Sequence, residues 1–234
     1  MTIDELKLYT YAFLNIPASP LDLPSGIACK VELAAGDSLA ALVEPGLCLE
    51  EINNDDRQLM LAVVSHDRVI REVFRQTAVL PLRFGTCFVS VAGLLAHMQQ
   101  RQEEYLQKLE GFAGKAEYML KFIPLQPPVS EVPLEAKGKQ YFLAKKQRYQ
   151  SQQDFQTQQA AQWQEVQKLI AQVYCHTVAG LAVDSTERIY LLGAREEEAE
   201  LLQQLQAWQQ VCSHWELQLG SPVPPYHFVG DAAG

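Results

Sequence analysis

The sequence predicts an α+β protein of two domains, the second of them ferredoxin-like. Three observations carry that prediction. The chain has 234 residues, 48% of them hydrophobic, enough for two cores of ordinary size. Its hydrophobic period alternates between two and three-to-four, so strands and helices are mixed. The second half reads β-α-β-β-α-β, the split order of ferredoxin-like folds, with extra helix inserted after its first strand. A boundary is expected where Gly111 and Gly114 end a helical pattern. That gives an α+β domain of unassigned topology over 1–112 and a modified ferredoxin-like domain over 113–234.

The elements follow in order. "LKLYTYAFL" (6–14) is β-rich and aromatic, and the proline-rich "NIPASPLDLPSG" ends it. "IACKVEL" and "LAALVEP" read as short strands around the turn "AAGDS". The period then changes: Leu59, Val63, His66, Ile70, Val73 and Phe74 step by threes and fours. Asn53 or Asn54 can cap this helix, with Asp55 and Asp56 in its first turn, and it should end near Thr77. "VLPLRFGTCFV" alternates as one strand, with Leu80, Leu82, Phe84, Thr86 and Phe88 on one face and Val79, Arg83, Gly85 and Cys87 on the other. Pro81 places it at an edge or at strand entry. Ser90 caps a helix with the stripe Leu94, Leu95, Met98, Tyr105 and Leu109.

In the second half, "EYMLKFIP" (117–124) is a strand followed by a proline-rich loop. A helical stretch from Gly138 to Tyr174 carries the stripe Trp163, Val166, Ile170 and Val173, and its length suggests a break near Ser151. "HTVAGLAVD" and "RIYLLGA" are strands joined by "DSTE". "REEEAELLQQLQAWQQVCSH" is a helix with glutamates at its positive end, and "WELQLGSPV" is the last strand.

Composition narrows the function classes. Net charge is −9, and no dense Lys/Arg patch offers the footprint that nucleic acid or anionic lipid needs. The opening "MTIDELKLYTYAFL" lacks the basic flank and long apolar core of a signal peptide, and no apolar run spans a bilayer. The five cysteines are odd in number and widely spaced, which fits reduced, buried thiols. The reading is a soluble cytoplasmic protein.

Candidate chemistry is thin. His66 and Asp67 are adjacent on a helix and point roughly 100° apart, so they form no dyad by themselves. The helical phase sends His66 to the core. Arg83 is expected to tether its strand to a carboxylate or a backbone carbonyl. Cys175, His176, Cys212 and His214 match no common zinc spacing. Nucleophile-elbow, Walker and dinucleotide motifs are absent from the sequence. The sequence therefore assigns no catalytic residue, no metal and no cofactor. Two stretches are candidate interaction surfaces: the outer face of the helix 138–174, and the Tyr226-His227-Phe228 tail behind Pro224-Pro225, which either docks or straps onto its own core.

"VVSHDRVIREVF" followed by "VLPLRFGTCF" resembles the signature region of the GvpF/GvpL family of gas vesicle accessory proteins. "YTYAF", "GKAEYMLK", "GKQYFLAKK" and "SPVPPYHFV" match in the family's order, from about residue 8 to 229. The matched positions His66, Leu80, Pro81, Arg83, Phe84, Gly85, Thr86, Pro224, Pro225, Tyr226 and Phe228 are then signature residues, structural and open to partner contact. One departure is Ser221-Pro222-Val223, where the family tends to carry Gly-Pro-Trp. The resemblance implies a non-enzymatic minor component needed for vesicle assembly. It would bind the hydrophobic major shell protein and other gas vesicle accessory proteins, limit shell-protein aggregation and end on the gas vesicle. The alternative is a ligand-binding regulatory module on a ferredoxin-like sheet.

Overall fold

The computed structural model describes residues 7–47, 49–52, 55–128 and 138–230. They form a mixed α+β protein that packs as two compact units. One comprises the residues up to Glu117 together with those from Pro222 onward; the other is Tyr118–Ser221. Against a boundary expected at 112/113, the division falls after Glu117, and the residues from Pro222 join the first unit.

The first unit is built on β1 (Leu8–Asn15), buried from Leu8 to Leu14. Beside it lie β2 (Glu32–Ala35), β3 (Leu39–Pro45), β4 (Leu80–Pro81) and β5 (Cys87–Phe88). The sheet order is β2-β3-β1-β4, with β5 also paired to β1. All these pairings are antiparallel. The helices are the short α1 (Leu49–Ile52), α2 (Asp56–Phe74), α3 (Val91–Gln100) and α4 (Gln102–Phe112). Asp55 caps α2 by accepting the N–H groups of Arg57 (2.8 Å) and Gln58 (3.2 Å), a bond type that stabilises by about 1 kcal/mol. Asn53 and Asn54 lie outside the described residues. The helix buries Ala62, His66, Val69, Ile70, Val73 and Phe74, while Val63, expected in the stripe, is exposed.

Several expected elements differ, each for a local reason. The strand expected from Ile27 begins only at Glu32, because the Glu44 carboxylate takes the N–H groups of Ile27, Ala28 and Cys29 at 2.6–2.7 Å. Those donors are lost to a ladder. The single strand expected over 79–89 is two short ones. Gly85, with φ +93°, turns the chain between them, and Thr86 closes the turn with its N–H (3.2 Å) and Oγ1 (2.8 Å) on the Arg83 carbonyl. Pro81 does sit on an outer strand, where its missing donor costs no ladder bond. The helix capped by Ser90 is interrupted at Arg101, whose φ −109° and ψ 16° leave the helical region.

The second unit takes β6 (Lys115–Pro124) from Tyr118, then α5 (Lys139–Val173), β7 (Thr177–Ala179), β8 (Glu187–Ala194), α6 (Glu198–Val211) and β9 (Trp215–Leu219). This is the β-α-β-β-α-β order, in a sheet ordered β7-β8-β6-β9. The break expected near Ser151 does not occur. Neither Gly nor Pro interrupts 139–173, and a lone serine costs a helix only a few tenths of a kcal/mol. Val166 and Ile170 are buried, but Val173 is exposed. Trp163 packs edge-on against Phe122 (4.9 Å between centroids) and lies 5.8 Å from Trp215, whose indole N–H donates to the Gln159 carbonyl at 2.9 Å.

Cysteine burial also departs from expectation. Cys29, Cys87 and Cys175 are exposed; Cys212 is buried, and burial pushes its thiol up to about 11. Cys48 lies outside the described residues.

Candidate functional site

Of the residues singled out by the resemblance, Pro81, Arg83, Phe84 and Tyr226 line one cleft with His66. Its Nε2 lies 3.1 Å from the Leu82 carbonyl, which can only accept, so that nitrogen carries the proton. Nδ1 is then the acceptor for the Tyr9 hydroxyl at 2.7 Å, and Tyr9 in turn accepts the Gly85 N–H at 3.4 Å. The chain His66–Tyr9–Gly85 thus fixes a neutral imidazole and pins the turn of the Leu80–Thr86 motif to α2 and β1. The ring stacks on Tyr11 (5.3 Å, 24°) and meets Tyr9 and Phe84 edge-on. Burial holds the imidazole below its ordinary value and the Tyr9 phenol well above its own. Both ring nitrogens are engaged, so this histidine has no free atom with which to bind a metal or accept a substrate proton.

Tyr11 extends the network on the other side. Its hydroxyl donates to Glu44, a fully buried carboxylate that also takes the three backbone donors of 27–29. A β-carbon at Gly26 would stand 2.1 Å from Glu44 Oε2, so only glycine fits there. In the sequence Tyr11 stands out only as part of "YTYAF", and Glu44 is not among the candidate site residues. A signal existed for Glu44: a carboxylate inside the apolar run "LAALVEP".

The tail straps onto the first unit's own core. Val223 exchanges backbone hydrogen bonds with Glu117, both at 2.9 Å. Glu117 is buried and accepts the His227 N–H and Nδ1, each at 2.7 Å. Burial raises its carboxyl above the usual range, with the His227 contacts opposing that rise. Tyr226 donates to Asp67 at 2.5 Å, the same carboxylate that accepts Arg71 Nε at 2.6 Å, and Lys108 donates to the Val229 carbonyl at 2.7 Å. Pro224 and Pro225 are buried, and Phe228 is half-buried.

Strap and turn together enclose a cleft of about 280 Å³ lined by His66, Pro81, Arg83, Phe84, Tyr226 and Val229, among others. Arg83 is exposed on its rim, and its guanidinium makes no ion pair among the described residues. The side-chain tether expected of Arg83 is not made among the described residues; its carbonyl instead closes the local turn by accepting from Thr86. Leu80 is buried against Phe13 in the β1–β4 register.

In the second unit, Cys175 Sγ lies 3.1 Å from its neighbour His176, while Cys212 Sγ faces the Gln162 carbonyl and His214 packs on Phe155. Among the described residues no three His, Cys, Asp or Glu side chains gather in a metal-ligand cluster. No helix among them is long and apolar enough to cross a membrane.

The fold is a two-unit α+β scaffold with two antiparallel-paired sheets. That scaffold is found in two crystal structures. The chain matches gas vesicle protein GvpF from Anabaena sp. PCC7120 with a TM-score of 0.68 over 96% of both chains, at 15% identity. It matches GvpF from Microcystis aeruginosa with a TM-score of 0.65 over 95% of this chain and 98% of that one, also at 15% identity. The model of the family "Gas vesicle synthesis protein GvpL/GvpF" matches residues 7–230, and the chain belongs to that family. Gas vesicle protein F of Streptomyces sp. (strain CB03234) is 34% identical over 91 residues, 39% of this chain and 36% of the relative. The alignment thus spans about a third of that relative's length.

Proposed function

We propose that this protein is a non-enzymatic accessory factor of gas vesicle assembly that binds the hydrophobic major shell protein and limits its aggregation during nucleation. Family membership over residues 7–230 supports the gas vesicle setting. The observation that carries the binding role is on α2. Its inner face is buried, yet Met60, Leu61, Val63 and Val64 on its other sides are exposed by 65, 59, 40 and 58%. Exposed apolar side chains grouped in this way mark interaction surfaces. A shell subunit that must keep an apolar face is an aggregation hazard before assembly, and a reversible apolar cover reduces that hazard. The factor would act in the cytoplasm and then at the vesicle, alongside other accessory proteins of the same assembly.

The test is co-purification of the full chain with the major shell protein, with shell-protein solubility as a second readout. Wild type is expected to associate and to raise the soluble fraction. A Met60→Asp/Val64→Asp variant should fold normally and lose both effects. Absence of association and of any solubility effect in wild type would overturn the proposal.

A further inference from the structure

The N-terminal half of α5 carries a second kind of surface. From Lys139 to Gln153 almost every residue is exposed, and Val166 and Ile170, the helix's buried residues, lie far beyond. Tyr141, Phe142, Lys145, Lys146, Arg148 and Tyr149 are spaced i, i+1, i+4, i+5, i+7 and i+8, which puts them on one side of the helix. Phe142 is 72% exposed and Tyr149 66%. Between residues 138 and 153 there are four basic residues and no acidic one, in a chain of net charge −9. Everything outside this arm is therefore more acidic still. None of the four cations is ion-paired among the described residues.

The same unit holds the complement. Glu196, Glu197, Glu198 and Glu200 crowd the start of α6, all exposed and none ion-paired among the described residues, with Leu202 46% exposed beside them. Aromatic rings flanked by cations on one surface, and carboxylates beside an apolar side chain on another, are complementary in charge and in apolar character.

We infer that the α5 arm is a self-association surface: it docks on the acidic start of α6 in a second copy of this chain. Arm and receiver are different patches of one molecule, so the contact is heterologous, and each copy can give one arm and receive another. Such contacts extend into a ring or a short filament rather than stopping at a symmetric pair. Attraction between exposed charges weakens as salt screens it, so association is strongest at low ionic strength.

The test is sedimentation velocity of the purified full chain across concentration and salt. Wild type should form species larger than the monomer at low salt and dissociate at high salt. K145E/K146E/R148E and E196K/E197K/E200K, each exposed and each checked for native circular dichroism, should weaken association by roughly a hundredfold or more, since like charges then face each other. Mixed in equal amounts, the two variants offer an unchanged arm to an unchanged receiver and a reversed arm to a reversed receiver, and should regain assembly. A wild type that stays monomeric throughout, an arm variant that assembles like wild type, or a mixture that stays monomeric would each overturn the inference. Loss of shell-protein binding by the arm variant, with a monomeric wild type, would overturn it while leaving the assembly role intact. Salt-sensitive, charge-swappable assembly in a protein that ignores the shell protein would do the reverse.

Discussion

In the first unit the buried polar side chains Thr10, Glu44, His66 and Glu117 are held in hydrogen bonds, those of His66 and Glu117 reaching partners more than fifty residues away in the chain. In the second, the buried residues described are apolar or aromatic, and two buried polar atoms there, the Tyr118 hydroxyl and Arg188 Nε, have no hydrogen-bond partner among the described residues. A buried polar group is costly unless its partner stands at the right distance, so the first core accepts few sequences. An apolar core asks only for pattern and volume.

The comparison can be broken by measurement, because the chain's three tryptophans, Trp163, Trp208 and Trp215, all lie in the second unit. Indole fluorescence reports that core, and far-ultraviolet dichroism reports both. Glu44→Ala orphans the Tyr11 hydroxyl and three backbone donors, and should cost about 4 kcal/mol in the dichroism transition. If the tryptophan transition moves equally, the two cores unfold as one and the contrast fails. Ile170→Ala should cost about 3 kcal/mol, through a cavity, and should move the tryptophan signal. His66→Phe keeps the ring's bulk but strands the Tyr9 hydroxyl and the Leu82 carbonyl, for a loss of about 2 kcal/mol.

The same histidine sets a pH dependence. Folding holds His66 and His97 below their ordinary 6.5, chiefly by burial, so the unfolded chain binds protons that the folded chain refuses. Stability is therefore full above that value and falls as the pH drops through it toward the depressed folded values. Melting curves between about pH 7.5 and 5.5 should show this slope, shallower in His66→Phe. A slope unchanged by the substitution would remove His66 from the account. The smallest effect is expected at Tyr118→Phe, which removes a buried hydroxyl with no partner and should leave stability unchanged or raise it by up to about 1 kcal/mol.

The same division governs what could be read in the sequence. Periodicity found Leu94, Met98, Tyr105 and Leu109 in one stripe and the β-α-β-β-α-β order of the second unit, because burial of apolar faces is a repeating, local signal. It misread Ile27–Val31 as a strand, because nothing nearby reveals that Glu44 will claim those backbone donors. It ran one strand through Arg83–Thr86, because alternation there is decided by Gly85 and by Tyr9, which is distant in sequence. Glu44 and Glu117 were visible only as acids in otherwise apolar runs. Averaging hid the α5 arm as well: an acidic chain total masks four cations within about three turns of helix.

The strap has a consequence for the order of synthesis. Tyr226, His227 and the Val229 carbonyl supply bonds that the first unit lacks without them, and the ribosome adds these residues only after 118–221 has been made in full. The unit begun before 118–221 is thus completed only after it. Until then Glu117 and Asp67 wait without the partners that the tail brings, a nascent state in which premature chain termination would spare the second core and leave the first one open.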